Sequence, residues 1–198
     1  MAPDASLGAI LLAAGRGRRF DPQGRRNKLL QVLPGGDPVV VASARTLLAV
    51  FPRVVAVVPP DDGGVAGRLR ALGCEVTACP QADDGMGLSL AHALRFALHD
   101  GASNAGWLVA LGDMPFVQGA TLRALAGAIE QGAGIAAPLY RGRRGNPVAF
   151  GSRHTAALLA LDGDQGARRL LASFPLTTIE VDDAGILRDI DHPADLPS

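Results

Sequence analysis

The chain has one lysine, Lys28, against eighteen arginines. A composition this weighted towards arginine would place arginine there too if any cation sufficed. An ammonium is a compact point charge on a flexible stem, whereas a guanidinium is a planar fork. The exception therefore suggests a site that needs the ammonium; the plain alternative is chance drift on a solvated surface. Cysteine is nearly as scarce. Cys74 and Cys79 lie five apart, on opposite faces if the segment is a strand. That is not metal spacing and no third cysteine can join them, so they are expected to be buried thiols of a reducing compartment. Neither charge sign is in excess: 19 basic and 19 acidic residues cancel. This argues against nucleic-acid or membrane-surface binding, which needs a broad positive field. Long apolar runs are missing as well. Residues 9–14 form a run far too short to span a bilayer, with no basic stretch ahead of it, and the protein is expected to be soluble and cytoplasmic. There is no repeat, low-complexity tract or linker. At 198 residues, 48% hydrophobic and 19% charged, residues 1–198 are expected to form one globular domain.

Apolar runs of strand length alternate with segments of helical period. Strands are expected at residues 9–14, 53–58, 75–79, 107–111 and 135–139. Helices are expected at 39–50, 61–72 (stopped by Gly73), 88–99 and 118–131. This alternation predicts an α/β fold, a Rossmann-like three-layer sandwich with a mostly parallel sheet. Right-handed crossovers would bring every strand's C-terminal end to one edge, where ligands bind in such folds. The pattern changes in the C-terminal third. Residues 140–150 read as an added hairpin turning between Gly142 and Gly145, with Pro147 marking an edge position. Short helices at 154–161 and 166–173, a strand at 177–181 and a tail at 188–196 complete the chain.

Directly after the first strand comes Leu12-Ala13-Ala14-Gly15-Arg16-Gly17-Arg18-Arg19-Phe20. Small residues there let backbone N–H groups approach a ligand and form a concave anion site, with Arg18, Arg19 and Lys28 adding charge. A dinucleotide fingerprint would need glycine where Phe20 stands, and the Gly-Lys-Ser/Thr of a Walker loop is absent. The turn suits phosphate without matching either pattern; an ordinary strand-to-helix loop is the alternative. Asp113, in Leu111-Gly112-Asp113-Met114-Pro115, ends a buried strand at the same edge. A lone hard carboxylate suits Mg²⁺, which takes one or two protein oxygens and completes its shell with water and substrate phosphate. A helix N-cap is the alternative.

Three further stretches carry polar chemistry. Gly85, Met86, Gly87 and Ser89 open a helix after the third strand. Two glycines in three residues imply close approach to something flat such as a base or ribose, unless Ser89 merely caps the turn. Asp189 and Asp191 share a face if extended, which makes Asp191 a candidate second metal ligand; His192 reads as a turn residue before Pro193. Arg143, Arg144 and Asn146 on the hairpin, and Arg168 at a polar helix start, could hold a phosphorylated second substrate, or could be solvated loop residues.

Together these stretches resemble the nucleotidyltransferases of molybdenum cofactor biosynthesis. The family's Leu-Ala-Ala-Gly-x-x-x-Arg-Met/Phe…Lys appears as Leu12 to Phe20 and Lys28, and its Gly-Met-Gly-x-Ser-Leu as Gly85 to Leu90. Its Gly-Asp-x-Pro appears as Gly112 to Pro115, Arg-Gly-x-Pro-Val as Arg144 to Val148, Gly-Asp-x-Gly-Ala-Arg as Gly163 to Arg168, and Asp-Ile-Asp-Thr-Pro as Asp189 to Pro193. The similarity runs in order over residues 7–196. It departs in the longer gap between Arg19 and Lys28, which leaves the fold of residues 21–27 open, and in His192 for threonine. Ala14, where the guanylyl branch has glycine, leans towards the cytidylyl branch.

The resemblance implies Mg²⁺-dependent transfer of CMP from CTP to the terminal phosphate of molybdenum cofactor, with a molybdoenzyme or its chaperone as a further partner. It implies that Lys28 and the turn from Gly15 to Arg19 hold the triphosphate, that Asp113 binds metal, that Lys28, Arg19 and Asp113 are the catalytic residues, and that Leu12 to Arg18 with Gly85, Met86, Gly87 and Ser89 form the nucleotide site. The nearest alternatives are GTP as donor or a sugar 1-phosphate as acceptor. A nucleotide-binding regulator or chaperone without turnover is the alternative outside enzymes.

Overall fold

The computed structural model describes residues 6–99, 105–163 and 168–197. Eight strands form one sheet: β1 (Gly8–Leu12), β2 (Val54–Val58), β3 (Glu75–Ala78), β4 (Gly106–Leu111), β5 (Ile135–Tyr140), β6 (Arg143–Arg144), β7 (Val148–Gly151) and β8 (Leu176–Glu180). Their order is β3-β2-β1-β4-β7-β5-β6, with β8 also on β5. Strands β1 to β4, β5 and β8 run one way, and β6 and β7 run against them.

Strands β1 and β2 are buried along their whole length because helices cover both faces. Leu11, Ala56, Leu108 and Ala136 point to α1 (Val39–Leu48), α2 (Val65–Leu72) and α4 (Gly119–Glu130). Their neighbours Ile10, Val55, Trp107 and Ile135 point the other way, to α3 (Met86–Leu98), α5 (Thr155–Leu159) and α6 (Arg168–Ser173). Alternation within a continuous apolar run is what a strand buried on both faces requires. The three-layer sandwich with a mostly parallel sheet is therefore the observed fold. Among the described residues no helix is long and apolar enough to cross a membrane. Both cysteines are free and buried, and burial pushes the Cys74 thiol up to about 11.

The hairpin differs from expectation in three ways. Its turn is Arg141–Gly142, both at positive φ (49° and 73°), the conformation favoured by two-residue hairpins; it is not at Gly142 to Gly145. The returning chain is broken in two: β6 pairs with the end of β5, and β7 with its start. Finally, β7 lies inside the sheet between β4 and β5, not at an edge. Pro147 is accommodated because it stands ahead of Val148, outside the strand, where no ladder N–H is needed. Not every strand therefore ends at the ligand edge: β7 begins there and delivers Asn146. The helix expected from residue 61 starts only at Val65, since Gly64 takes φ 98° and Asp62 accepts the N–H groups of Gly64 and Ala66.

The C-terminal segment is clamped to this hairpin, where Asn146 N donates to the Ile186 carbonyl at 3.0 Å, and to the start of α4. Asp183, 2% exposed, accepts hydrogen bonds from Gln118 N (2.9 Å), Thr121 Oγ1 (2.7 Å) and Gly185 N (2.9 Å). A Cβ at Gly185 would collide with the Phe116 carbonyl, and one at Gly145 with that of Ile186. Asp183→Ala would strand three donors, two of them at the start of α4, and is expected to cost about 3 kcal/mol of stability in urea unfolding.

Candidate active site

At Ala13 the chain leaves β1 and enters a loop that the sequence did not resolve. Gly17 takes φ 61°, and its carbonyl accepts the N–H groups of Phe20 and Asp21. Phe20 is buried and anchors the turn. The Asp21 carboxylate then accepts the N–H groups of Gln23 (3.0 Å) and Arg26 (2.8 Å), so residues 21–27 curl back. Asn27 caps a short 3-10 turn, Lys28–Leu30, by accepting from Leu29 N at 2.9 Å. This return lays the Lys28 stem against the glycine turn: a Cβ at Gly17 would sit 3.3 Å from Lys28 Cγ. At Gly15 a Cβ would meet nothing within 4 Å, so chain packing alone does not call for glycine there.

Lys28 is 7% exposed. Its Nζ donates to Asp113 Oδ2 at 2.6 Å and to Asp191 Oδ1 at 3.0 Å. Arg19 reaches the other oxygen of Asp191 at 2.7 Å. Asp113 Oδ1 is buried and has no partner among the described residues. Burial disfavours the Lys28 ammonium, but Asp113 and Asp191 outweigh it and raise its pKa. Asp189, two residues from Asp191, is pushed up by burial and by the charges of Asp191 and Asp113. Burial also opposes ionisation of Asp191, yet the Lys28 hydrogen bond and the charges of Lys28 and Arg19 hold its carboxyl below the usual range.

The carboxylates meet because the tail docks on the exit of β4. Ile190 N donates to the Asp113 carbonyl at 2.9 Å. Asp195 shapes the bend by accepting from His192 N (2.6 Å) and Asp191 N (2.9 Å). Those bonds, the His192 one foremost, lower the Asp195 pKa. A depressed carboxyl stabilises the folded turn above its unfolded value, about 3.9, and loses that contribution as pH falls through the folded value. The amide resonances of Asp191 and His192 are expected to titrate together with a midpoint below 3.9 in an ¹H–¹⁵N NMR series.

A cleft of about 530 Å³ connects these groups. Leu12, Ala13, Ala14, Gly15, Arg16, Gly17, Arg18 and Arg19 form one wall, Gly85, Met86 and Ser89 another, and Lys28, Asp113, Asn146 and Asp191 the floor and far side. Ser89 is 3% exposed. Gly87 does not face this space. A Cβ there would lie 2.8 Å from the Asp162 carbonyl oxygen, so its close approach is to the chain itself and not to a base. Gly112 likewise makes room for Leu12 and Ala13. Arg143 and Arg144 are exposed on β6, off the cleft walls. The side chain of Arg168, like residues 164–167, lies outside the described residues.

Two charged cleft residues were given no role from sequence. Asp83 forms a two-pronged ion pair with Arg16 across the cleft mouth. Asp189 stands beside Asp191, and its i, i+2 spacing was the available signal. Among the described residues no cluster of three or more His, Cys, Asp or Glu could hold a metal. Among the described residues no histidine or cysteine lines the cleft.

Comparison with known proteins bears on this arrangement. The MobA-like NTP transferase domain model matches residues 9–179. The purine catabolism protein PucB of Bacillus subtilis is 30% identical over 198 residues, spanning 93% of this chain and 91% of PucB. The bifunctional protein GlmU of Chromobacterium violaceum is 32% identical over 120 residues, 61% of this chain; the match spans a quarter of that protein's length (25%). The crystal structure of Rv0371c from Mycobacterium tuberculosis superposes with a TM-score of 0.83 at 25% identity, over 98% of this chain and 96% of that one. A manganese complex of Rv0371c superposes at 0.77 with 24% identity, over 96% and 95%. The matched span reaches from the glycine turn to the last strand, over a fold that gathers the turn, Lys28 and Asp113 into one cleft, and the chain belongs to the nucleotidyltransferase family of MobA-like NTP transferase domains.

Proposed function

We propose that the protein transfers CMP from CTP to the terminal phosphate of molybdenum cofactor, with release of pyrophosphate. The observation that carries the reading is the buried, unpartnered Oδ1 of Asp113 in the cleft that the glycine turn lines. Asp113 and Asp191 converge on a single ammonium, so two hard oxygen donors already face one point. That donor set fits Mg²⁺ or Mn²⁺, which take few protein oxygens and fill the remaining positions with water and phosphate. The manganese complex of Rv0371c is in keeping with this. Held by Asp113 and Asp191, the ion would supply positive charge to the phosphate oxygens.

The chain's own residues bind and orient. The backbone N–H groups of Gly15 to Arg19 and the side chains of Arg18, Arg19 and Lys28 receive the triphosphate. Met86 and Ser89, which line the cleft, are the candidate contacts for base and ribose. Asn146 faces the cleft from the start of β7, with Arg143, Arg144 and Arg168 as candidate contacts for the acceptor. An oxygen of the acceptor phosphate attacks the α-phosphorus in line, its bond forms as the bond to the β-phosphate bridging oxygen breaks, and pyrophosphate departs. A phosphate monoester is already ionised near neutral pH, so no general base is needed. Catalysis then rests on positioning and on cations that meet the charge gathering on pyrophosphate. Ala14 supports CTP over GTP.

The test is pyrophosphate release with each of the four ribonucleotides, Mg²⁺ and molybdenum cofactor. Release with CTP that requires the cofactor is expected. Release with GTP alone, or with a sugar 1-phosphate as the acceptor, would replace the substrate assignment and leave the chemistry. Tight nucleotide binding without release under any pairing would overturn the enzyme reading.

A further inference from the structure

Lys28 occupies the point that the proposed function gives to the metal. Its Nζ lies 2.6 Å from Asp113 and 3.0 Å from Asp191, and the second oxygen of Asp191 is held by Arg19 at 2.7 Å. Two negative charges are thus met by two positive ones with no ligand bound. A divalent ion added to this state would face an ammonium already seated between its ligands, and like charges at such range in a partly buried site repel strongly. A triphosphate changes the balance. The carboxylates can pass to the metal while Lys28 and Arg19 turn to two phosphate charges, and every ion keeps a counter-ion. The stem of Lys28 already lies along Gly17, so the ammonium can leave the carboxylates for the glycine turn by rotating its outer carbons while the backbone stays in place. An arginine would grip a carboxylate with two parallel bonds and would leave less readily. This gives the single lysine of the chain a specific use.

We infer that Lys28 is a built-in counter-ion that closes the Asp113–Asp191 pair to divalent metal until a nucleoside triphosphate draws the ammonium away, so that metal and nucleotide bind as a coupled pair. The inference rests on the reading of Asp113 and Asp191 as metal ligands, and the experiment separates the two.

The full chain is titrated with Mn²⁺ without nucleotide, following the EPR signal of the free aqua ion, as wild type, Lys28→Met and the double variant Lys28→Met/Asp113→Asn. Circular dichroism checks the fold, and Lys28→Gln is the second variant should Lys28→Met not fold. Wild type is expected to bind Mn²⁺ weakly. Lys28→Met should bind it at least about tenfold more tightly, within the usual range of coupling between sites, and the double variant should lose that gain. A wild type that binds Mn²⁺ alone at micromolar concentration overturns the inference without recourse to any variant. So does a Lys28→Met that binds no better than wild type; if Asp113→Asn then still abolishes Mn²⁺-dependent CTP binding, the metal reading survives and only the counter-ion role falls. Indifference of Mn²⁺ binding to Asp113→Asn in every form, CTP present or not, removes both.

Discussion

Lys28→Met is expected to lower nucleotidyl transfer by about 10²–10³-fold, the usual effect of removing one preorganised charge from a developing anion. The loss should fall mainly on kcat, since the charge that Lys28 meets grows as pyrophosphate departs. The variant should also carry a pH signature in its stability. In the wild type, Lys28 and Arg19 hold the Asp191 carboxyl below the usual range. That contribution is present above the ordinary carboxylate value and lost as pH falls through the folded one. Without Lys28, Asp189 and Asp191 lie beside each other and the Asp113 charge with Arg19 alone to offset them. Like charges raise carboxyl pKa values, and a raised value reverses the sign: stability is present at low pH and lost as pH rises. The variant should therefore be less stable than wild type at pH 7, and the gap should narrow on titration towards pH 4. Urea unfolding across that range checks it. Equal stability at every pH would mean that the ammonium does not balance the carboxylates in solution.

Asp113→Asn is expected to lose a similar 10²–10³-fold in rate, with a different accompaniment. The amide is nearly the same size and still offers an oxygen to Lys28. The backbone carbonyl of Asp113 still receives Ile190 N. Fold and tail docking should thus persist, without a large fall in melting temperature. The pyrophosphate-release assay reads the rate and calorimetry reads the melting point. Undiminished turnover by Asp113→Asn would remove Asp113 from the chemistry.

How far the sequence disclosed this depended on the length of chain each feature spans. Strands β1, β2 and β4 are buried on both faces and so appear as unbroken apolar runs. Helices α1, α3 and α4 announce their covered faces through helical period. The glycine turn and Asp113 could be found because each sits where a strand ends, and in an α/β sheet strand ends are where ligands bind. The hairpin was misread for a local reason with a distant cause. Gly145 and Pro147 look like turn residues. Gly145 is glycine because Ile186 leaves no room for a Cβ, and Pro147 stands just outside a strand inserted between β4 and β5. Gly87 similarly owes its missing side chain to residue 162. No spacing rule within one segment contains such partners.

The sequence by itself determined the layered fold, the place of the glycine turn and of Asp113 at strand ends, and the oddity of one lysine among arginines, because short-range periodicity and strand ends encode these. Tertiary structure alone decided what that lysine touches. Asp113 and Asp191 lie 85 and 163 residues from Lys28, brought to it by the curl of residues 21–27 and by a tail docked on the exit of β4. An ion pair is a matter of ångströms in space, and only the closed fold sets those.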